Sequence, residues 1–236
     1  MPKVLTAIIL AGGLGTRLGA AAAGRPKSLV DINGRPFIFF VLESLAETGI
    51  TDVVICTGYG ATQFAELIDD GRQFGLQIRY SDDGPSQLGT GGALKRALPL
   101  LGRQFIVQYG DTLLELDYAL MWKKFIDAGK PVMMSVYRND NRLDASNVVF
   151  EHGHVKEYNK NQRHPGMKYI DYGAMVFSAS VFTNQPGDER FDLADMLYEL
   201  ASEGNIAGIE VENAFLEIGN PTSLERVRKK LGQSKK

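Results

Sequence analysis

The sequence is poor in the residues that build disulfides and metal cages. It has one cysteine and three histidines in 236 residues. Cys56 has no second cysteine to pair with inside the chain, which suits a reducing compartment, and a cytoplasmic location is expected. His152, His154 and His164 gather around one turn and the loop after it, with no cysteine or carboxylate at zinc-ligand spacing. An excess of one charge is also missing: 26 Lys+Arg face 28 Asp+Glu, a net charge of -2. That balance leaves no electrostatic footprint for a nucleic-acid backbone, so no nucleic-acid partner is expected. Long hydrophobic runs are absent too. Val4–Ala11 is stopped by Gly12-Gly13, far short of a membrane span, and it lacks the layout of a signal peptide, so no membrane partner is expected. No Gly-x-Ser-x-Gly nucleophile element occurs.

What is present is an ordinary globular composition, 44% hydrophobic and 23% charged, in a length that suits one large α/β domain over residues 1–236. A chain of this size buries enough apolar surface to fold without a staple. Apolar runs at Val4–Ala11, Asp52–Thr57, Leu76–Tyr80, Phe105–Tyr109 and Val132–Tyr137 read as strands. Helical patterns lie between them: one opened by Pro36 with Phe37, Phe40, Val41, Ser44 and Leu45 on a face, then Ala61–Phe74, about 91–101, and Tyr118–Ala128. Strand and helix in alternation imply βαβ crossovers and a mainly parallel sheet with helices on both faces.

After Arg138 the rhythm changes. Val148–Phe150 and His154–Tyr158 flank His152-Gly153 as a hairpin, and Tyr169–Phe177 reads as a strand. Asp192 is placed to cap a helix running to Ser202, Ile206–Val211 and Phe215–Ile218 read as short strands, and Thr222 with Glu225 has the spacing of a capping box. A small antiparallel patch is therefore expected in the second half.

Three constellations carry chemistry. Leu10-Ala11-Gly12-Gly13-Leu14-Gly15-Thr16-Arg17-Leu18 follows the first strand, with Pro26-Lys27 one loop further on. Clustered glycines let backbone N–H groups face phosphate oxygens, and Arg17 and Lys27 add cations; a tight turn is the structural alternative. No Gly-Lys-Ser/Thr closes the loop, so it is not a P-loop. Leu18 stands where a dinucleotide fingerprint wants a small residue, which weakens a nicotinamide dehydrogenase. Asp111 ends the strand Phe105–Tyr109 through Gly110. A carboxylate at that end of a parallel strand faces the ligand crevice and suits Mg²⁺, although a strand-end Asp also caps turns. Gln87-Leu88-Gly89-Thr90-Gly91-Gly92-Ala93 is a second glycine cluster, either a flat surface for a ring or phosphate or a plain loop before a helix.

The opening loop with Pro26-Lys27 resembles the signature of the sugar-1-phosphate nucleotidyltransferases, the NDP-sugar pyrophosphorylases, in a short form similar to heptose-1-phosphate guanylyltransferases. The resemblance implies a Rossmann-like, GT-A-type mixed, mainly parallel sheet flanked by helices. It implies transfer of a nucleotidyl group from an NTP to a sugar 1-phosphate with release of pyrophosphate, GTP and D-glycero-D-manno-heptose 1-phosphate being the favoured pair. Uridylyl, thymidylyl or cytidylyl transfer to a hexose or amino-sugar 1-phosphate and a non-catalytic nucleotide-sugar sensor stay open, and the resemblance leaves room for a homodimer. By the same resemblance Leu10, Ala11, Gly12, Gly13, Gly15, Thr16, Gln87, Gly91 and Gly92 hold the nucleotide, while Arg17 and Lys27 neutralise the triphosphate. Mg²⁺ would sit on Asp111 and Glu217, and Lys160, Asp171 and Gly173 would meet the sugar phosphate. Two positions depart from the family pattern: Glu217 stands where Asp is usual, and Asn159 replaces the Glu before Lys160.

Overall fold

The structure, a computed structural model, describes residues 5–13, 15–22, 24–84, 86–185 and 189–233. Val4, expected in the first strand, lies outside them. In chain order the elements are β1 (Thr6–Leu10), β2 (Asp31–Ile32), β3 (Arg35–Pro36), α1 (Phe37–Glu47), β4 (Asp52–Thr57), α2 (Ala61–Ile68), β5 (Gln77–Asp82), α3 (Gly89–Ala97), β6 (Gln104–Tyr109) and β7 (Thr112–Leu113). There follow α4 (Tyr118–Ala128), β8 (Val132–Arg138), β9 (Val148–Glu151), β10 (His154–Tyr158), β11 (Tyr169–Ser178), α5 (Leu193–Ser202), β12 (Ile206–Val211), β13 (Leu216–Glu217) and α6 (Pro221–Gln233). Contacts gather the chain into two compact units. The first holds Met1–Gln87, Gln108–Leu114 and Phe215–Lys236; the second holds Leu88–Val107 and Glu115–Ala214.

In the first unit β4 lies between β1 and β5 and is parallel to both. Ala7, Ile8, Ile9, Val53, Val54 and Ile55 are wholly buried, as expected of strands covered on both faces. Helix α1 turns Phe37, Ile38, Val41, Leu42 and Leu45 inward, while Phe40 and Ser44 from the expected face are only half-buried. Helix α2 stops at Ile68 rather than Phe74, because Asp69 (φ 53°) and Gly71 (φ 84°) leave helical geometry, and Arg72–Phe74 is a separate 3₁₀ turn. β7 pairs antiparallel with β13, setting Glu217 opposite Thr112. Helix α6 is not capped by Thr222 and Glu225. Asn220 Oδ1 accepts the Ser223 N–H (3.0 Å) and Ser223 Oγ accepts the Asn220 N–H (3.1 Å), a reciprocal cap two residues earlier, while Glu225 pairs with Arg228.

In the second unit the strands run β6-β11-β8-β12-β10-β9, with β9 also pairing with β11. β8 and β12 are parallel, whereas β8–β11, β10–β12 and β9–β10 are antiparallel, the expected patch. His152 (φ 49°) and Gly153 (φ 79°) make the hairpin turn between β9 and β10, both left-handed as a tight two-residue turn requires. The α4 boundaries follow from Asp117, whose carboxylate accepts the Leu120 N–H, and Gly129 at φ 62°. Helix α3 starts at Gly89 and ends at Ala97, short of Leu101, where Pro99 turns the chain into a 3₁₀ segment. Asp192 caps α5 as expected, its carboxylate accepting the Ala194 N–H at 2.9 Å. Among the described residues no helix is long and apolar enough to cross a membrane.

Candidate active site

The glycine loop opens where β1 ends. Ala11 N–H donates to Cys56 C=O (3.0 Å), keeping the chain beside β4 for one more residue. A Cβ on Gly12 would lie 3.1 Å from the Gly58 nitrogen, so a side chain there would press on the loop after β4. Gly15 takes φ 66° and packs on Lys27, whose own N–H donates to Gly13 C=O (3.3 Å). The loop and Lys27 are thus one folded unit, as the motif suggests. Leu18 anchors the segment, buried to 3% exposure, with its N–H on Gly15 C=O. Thr16 and Arg17 are exposed, and Leu10 is half-buried.

Asp111 follows β6, and Gly110 N–H donates to Leu10 C=O at 2.9 Å, tying the end of β6 to the end of β1. The Lys27 ammonium donates to Asp111 Oδ2 at 2.5 Å, and the Thr112 hydroxyl donates to Oδ1 at 3.0 Å. Burial alone would push the Asp111 carboxyl up; the adjacent Lys27 charge and the hydrogen bonds from Lys27 and Thr112 outweigh it and hold the group below the usual carboxylate range. Glu217 enters through β13, and Ile218 N–H donates to Asp111 C=O at 3.1 Å. One Glu217 carboxylate oxygen accepts the Gly219 N–H. The structure therefore brings Gly12, Gly13, Gly15, Lys27, Asp111 and Glu217 to neighbouring backbone in the first unit. A hard cation takes oxygen donors, and an ammonium already seated on Asp111 shows that this carboxylate attracts positive charge, so the donor chemistry suits a hard divalent cation. Among the described residues no group of three or more His, Cys, Asp and Glu side chains could hold a metal, so two carboxylates would need phosphate oxygens to complete the shell.

The second glycine cluster has a packing role. A Cβ on Gly91 would fall 2.2 Å from a Phe191 ring carbon, and one on Gly89 would fall 2.5 Å from Phe191 C=O. The Gly91 and Gly92 N–H groups both donate to that carbonyl (3.1 and 3.3 Å). Thr90 Oγ1 donates to Asp192 Oδ1 (2.7 Å) and accepts the Leu193 N–H (2.9 Å), locking α3 to the start of α5. Sequence reasoning missed this lock, because it joins residues about a hundred positions apart. Gln87 is exposed. The Asp192 carboxyl, drawn up by burial, is held below its usual range by the Ala194 N–H, the Thr90 hydroxyl and the nearby Lys160 and Arg190 charges.

Lys160 is exposed just beyond β10, its ammonium 6.0 Å from the Tyr158 ring centre. Asn159 is committed to its own loop, Oδ1 accepting the Asn161 and Gln162 N–H groups (2.9 and 2.8 Å). Asp171 is buried (8% exposed) and accepts the Gly173 N–H at 3.0 Å; Gly173 sits at φ 106°. Pairing of β11 with β8 slips between Asp171 and Met175, so this stretch is a bulge and simple alternation does not set which way Asp171 faces.

These features define an α/β protein with a glycine-rich loop and a carboxylate at adjoining strand ends. The chain belongs to the nucleotidyl transferase family, whose model matches residues 6–234. It is 29% identical over 218 residues to the D-glycero-alpha-D-manno-heptose 1-phosphate guanylyltransferase of Campylobacter jejuni, covering 92% of this chain and 96% of that protein. It is 37% identical over 115 residues to the N-acetylmuramate alpha-1-phosphate uridylyltransferase of Neisseria meningitidis, covering 48% and 50%. Its fold matches the crystal structure of HddC from Yersinia pseudotuberculosis complexed with GMP-PN at a TM-score of 0.80, with 28% identity and coverage of 96% and 99%.

Proposed function

We propose that the protein transfers a nucleotidyl group from an NTP to a sugar 1-phosphate, with GTP and D-glycero-D-manno-heptose 1-phosphate as the pair, in the cytoplasm. The observation that carries this is the glycine loop folded onto Lys27 beside Asp111, in a chain aligned over nearly its whole length with a guanylyltransferase. The sugar phosphate is already an anionic nucleophile, so its oxygen attacks the α-phosphorus and pyrophosphate leaves without a covalent enzyme intermediate. Catalysis then rests on positioning and charge. Gly12, Gly13 and Gly15, with Leu10, Ala11 and Thr16, shape the nucleotide side. Lys27 exchanges Asp111 for phosphate oxygens, and Arg17, exposed on the loop, adds a second cation. Asp111 and Glu217 would hold Mg²⁺, which supplies Lewis-acid stabilisation of the phosphate. Lys160, Asp171 and Gly173 serve the sugar phosphate, and exposed Gln87 serves the nucleotide with Gly91 and Gly92, the two glycines also fixing the start of α3.

A matrix of GTP, UTP, dTTP and CTP against heptose, hexose and amino-sugar 1-phosphates, read by pyrophosphate release, tests the reading. Fastest release is expected with GTP and the heptose phosphate. The higher local identity to a uridylyltransferase favours a second reading, UTP with an amino-sugar 1-phosphate, which the same matrix separates. NTP binding without release from any pair would leave a sensor rather than an enzyme.

A further inference from the structure

Asn147, just before β9, is 5% exposed and ties three strands together. Its N–H donates to Tyr169 C=O (3.0 Å), its C=O accepts the Asn159 N–H (2.9 Å), and its Oδ1 accepts the Asp171 N–H (3.0 Å). The last bond fixes the amide, because an N–H cannot donate to an NH₂ group. Nδ2 is therefore turned away from Asp171, and it donates to no described residue. Asn147 is nearly all covered, yet Nδ2 is not among the fully buried atoms that lack a partner, so it opens onto solvent, where its donors can meet a ligand acceptor. Its surroundings say which. The residues Asn147 holds are Asn159, which leads into Lys160, and Asp171, which opens the bulge that contains Gly173. Asn159, standing where a hydroxyl-binding Glu is usual, spends its own oxygen on the loop.

We infer that Asn147 Nδ2 is a specificity-determining contact that donates to a ring hydroxyl of the sugar 1-phosphate, in place of the contact Asn159 does not make. The inference rests on the proposed transferase reading. Asn147→Asp keeps Oδ1 and the shape of the side chain while removing both donors. With the full chain and the best substrate pair from the matrix, it should raise the sugar-phosphate KM about tenfold or more and leave the NTP KM within about twofold, since a site built to pair a hydroxyl discriminates strongly. Single-deoxy sugar 1-phosphates separate this contact from charge repulsion. Wild type should lose about tenfold in kcat/KM with one deoxy analogue, and the variant should not distinguish that analogue from the parent sugar. Asn147→Ala serves the same comparison if the Asp variant does not fold. An unchanged sugar KM in the Asp variant, or the same deoxy penalty in wild type and variant, overturns the inference alone. No turnover by wild type with any pair overturns the transferase reading and the inference with it.

Discussion

Gly91→Ala asks whether the second glycine cluster is there for packing or for the nucleotide. The added Cβ would sit 2.2 and 2.4 Å from two Phe191 ring carbons, against about 3.4 Å or more for ordinary contact, so the half-buried ring has to move by more than an ångström. Overpacking of that kind costs about 1–3 kcal/mol. Alanine in place of glycine in α3 returns close to 1 kcal/mol of helix propensity. A contact as close as 2.2 Å takes the upper end of that cost, about 3 kcal/mol, so the net loss is about 2 kcal/mol, which for a chain of this length lowers Tm by roughly 4–8 °C. Scanning calorimetry measures it, and Phe191→Leu in the same chain should restore most of the loss by opening the space. An unchanged Tm with a several-fold rise in the NTP KM would refute the packing argument and put the glycine against the ligand.

Asp111→Asn removes the charge that Lys27 and the proposed cation share, and turnover should fall by about 10²-fold or more while the circular dichroism spectrum is kept. Near-normal pyrophosphate release would reject the assignment. Asn220→Ala removes the side chain that accepts the Ser223 N–H at the start of α6; it should cost about 1 kcal/mol in denaturant unfolding, and no loss would mean that the cap is idle. Asp192 has a carboxyl lowered in the folded state, so its stabilisation is complete above the unfolded value of about 3.9 and is lost as pH falls through the folded value. Asp192→Asn should lower stability near neutrality and flatten the acid limb of a stability–pH curve; a parallel curve would show that the low carboxyl has no part in it.

Where an element has a hard stop, the sequence locates it. β4, α4 and β12 fall on the expected residues because Asp117, Gly129 and the polar flanks end the pattern abruptly. α2 and α3 are shorter than the sequence pattern predicts, since apolar periodicity continues past Asp69 and Pro99 although the backbone does not. The opening loop was legible because one continuous stretch carries its chemistry. The Lys27–Asp111 pair was legible only in part: both residues stand out, but nothing local says that they meet across 84 positions. Asn147 gave no signal, because its bond to Asp171 exists only once β9, β10 and β11 are assembled.

The division of the chain has a consequence for synthesis. The first unit is written in three stretches, and Phe215–Lys236 supplies β13, Glu217 and α6. By the time Ala214 leaves the ribosome, every residue of the second unit has been made. The first must wait, with Asp111 already present and Glu217 still to come. A message cut short at that point would yield a chain whose proposed metal seat has one carboxylate instead of two.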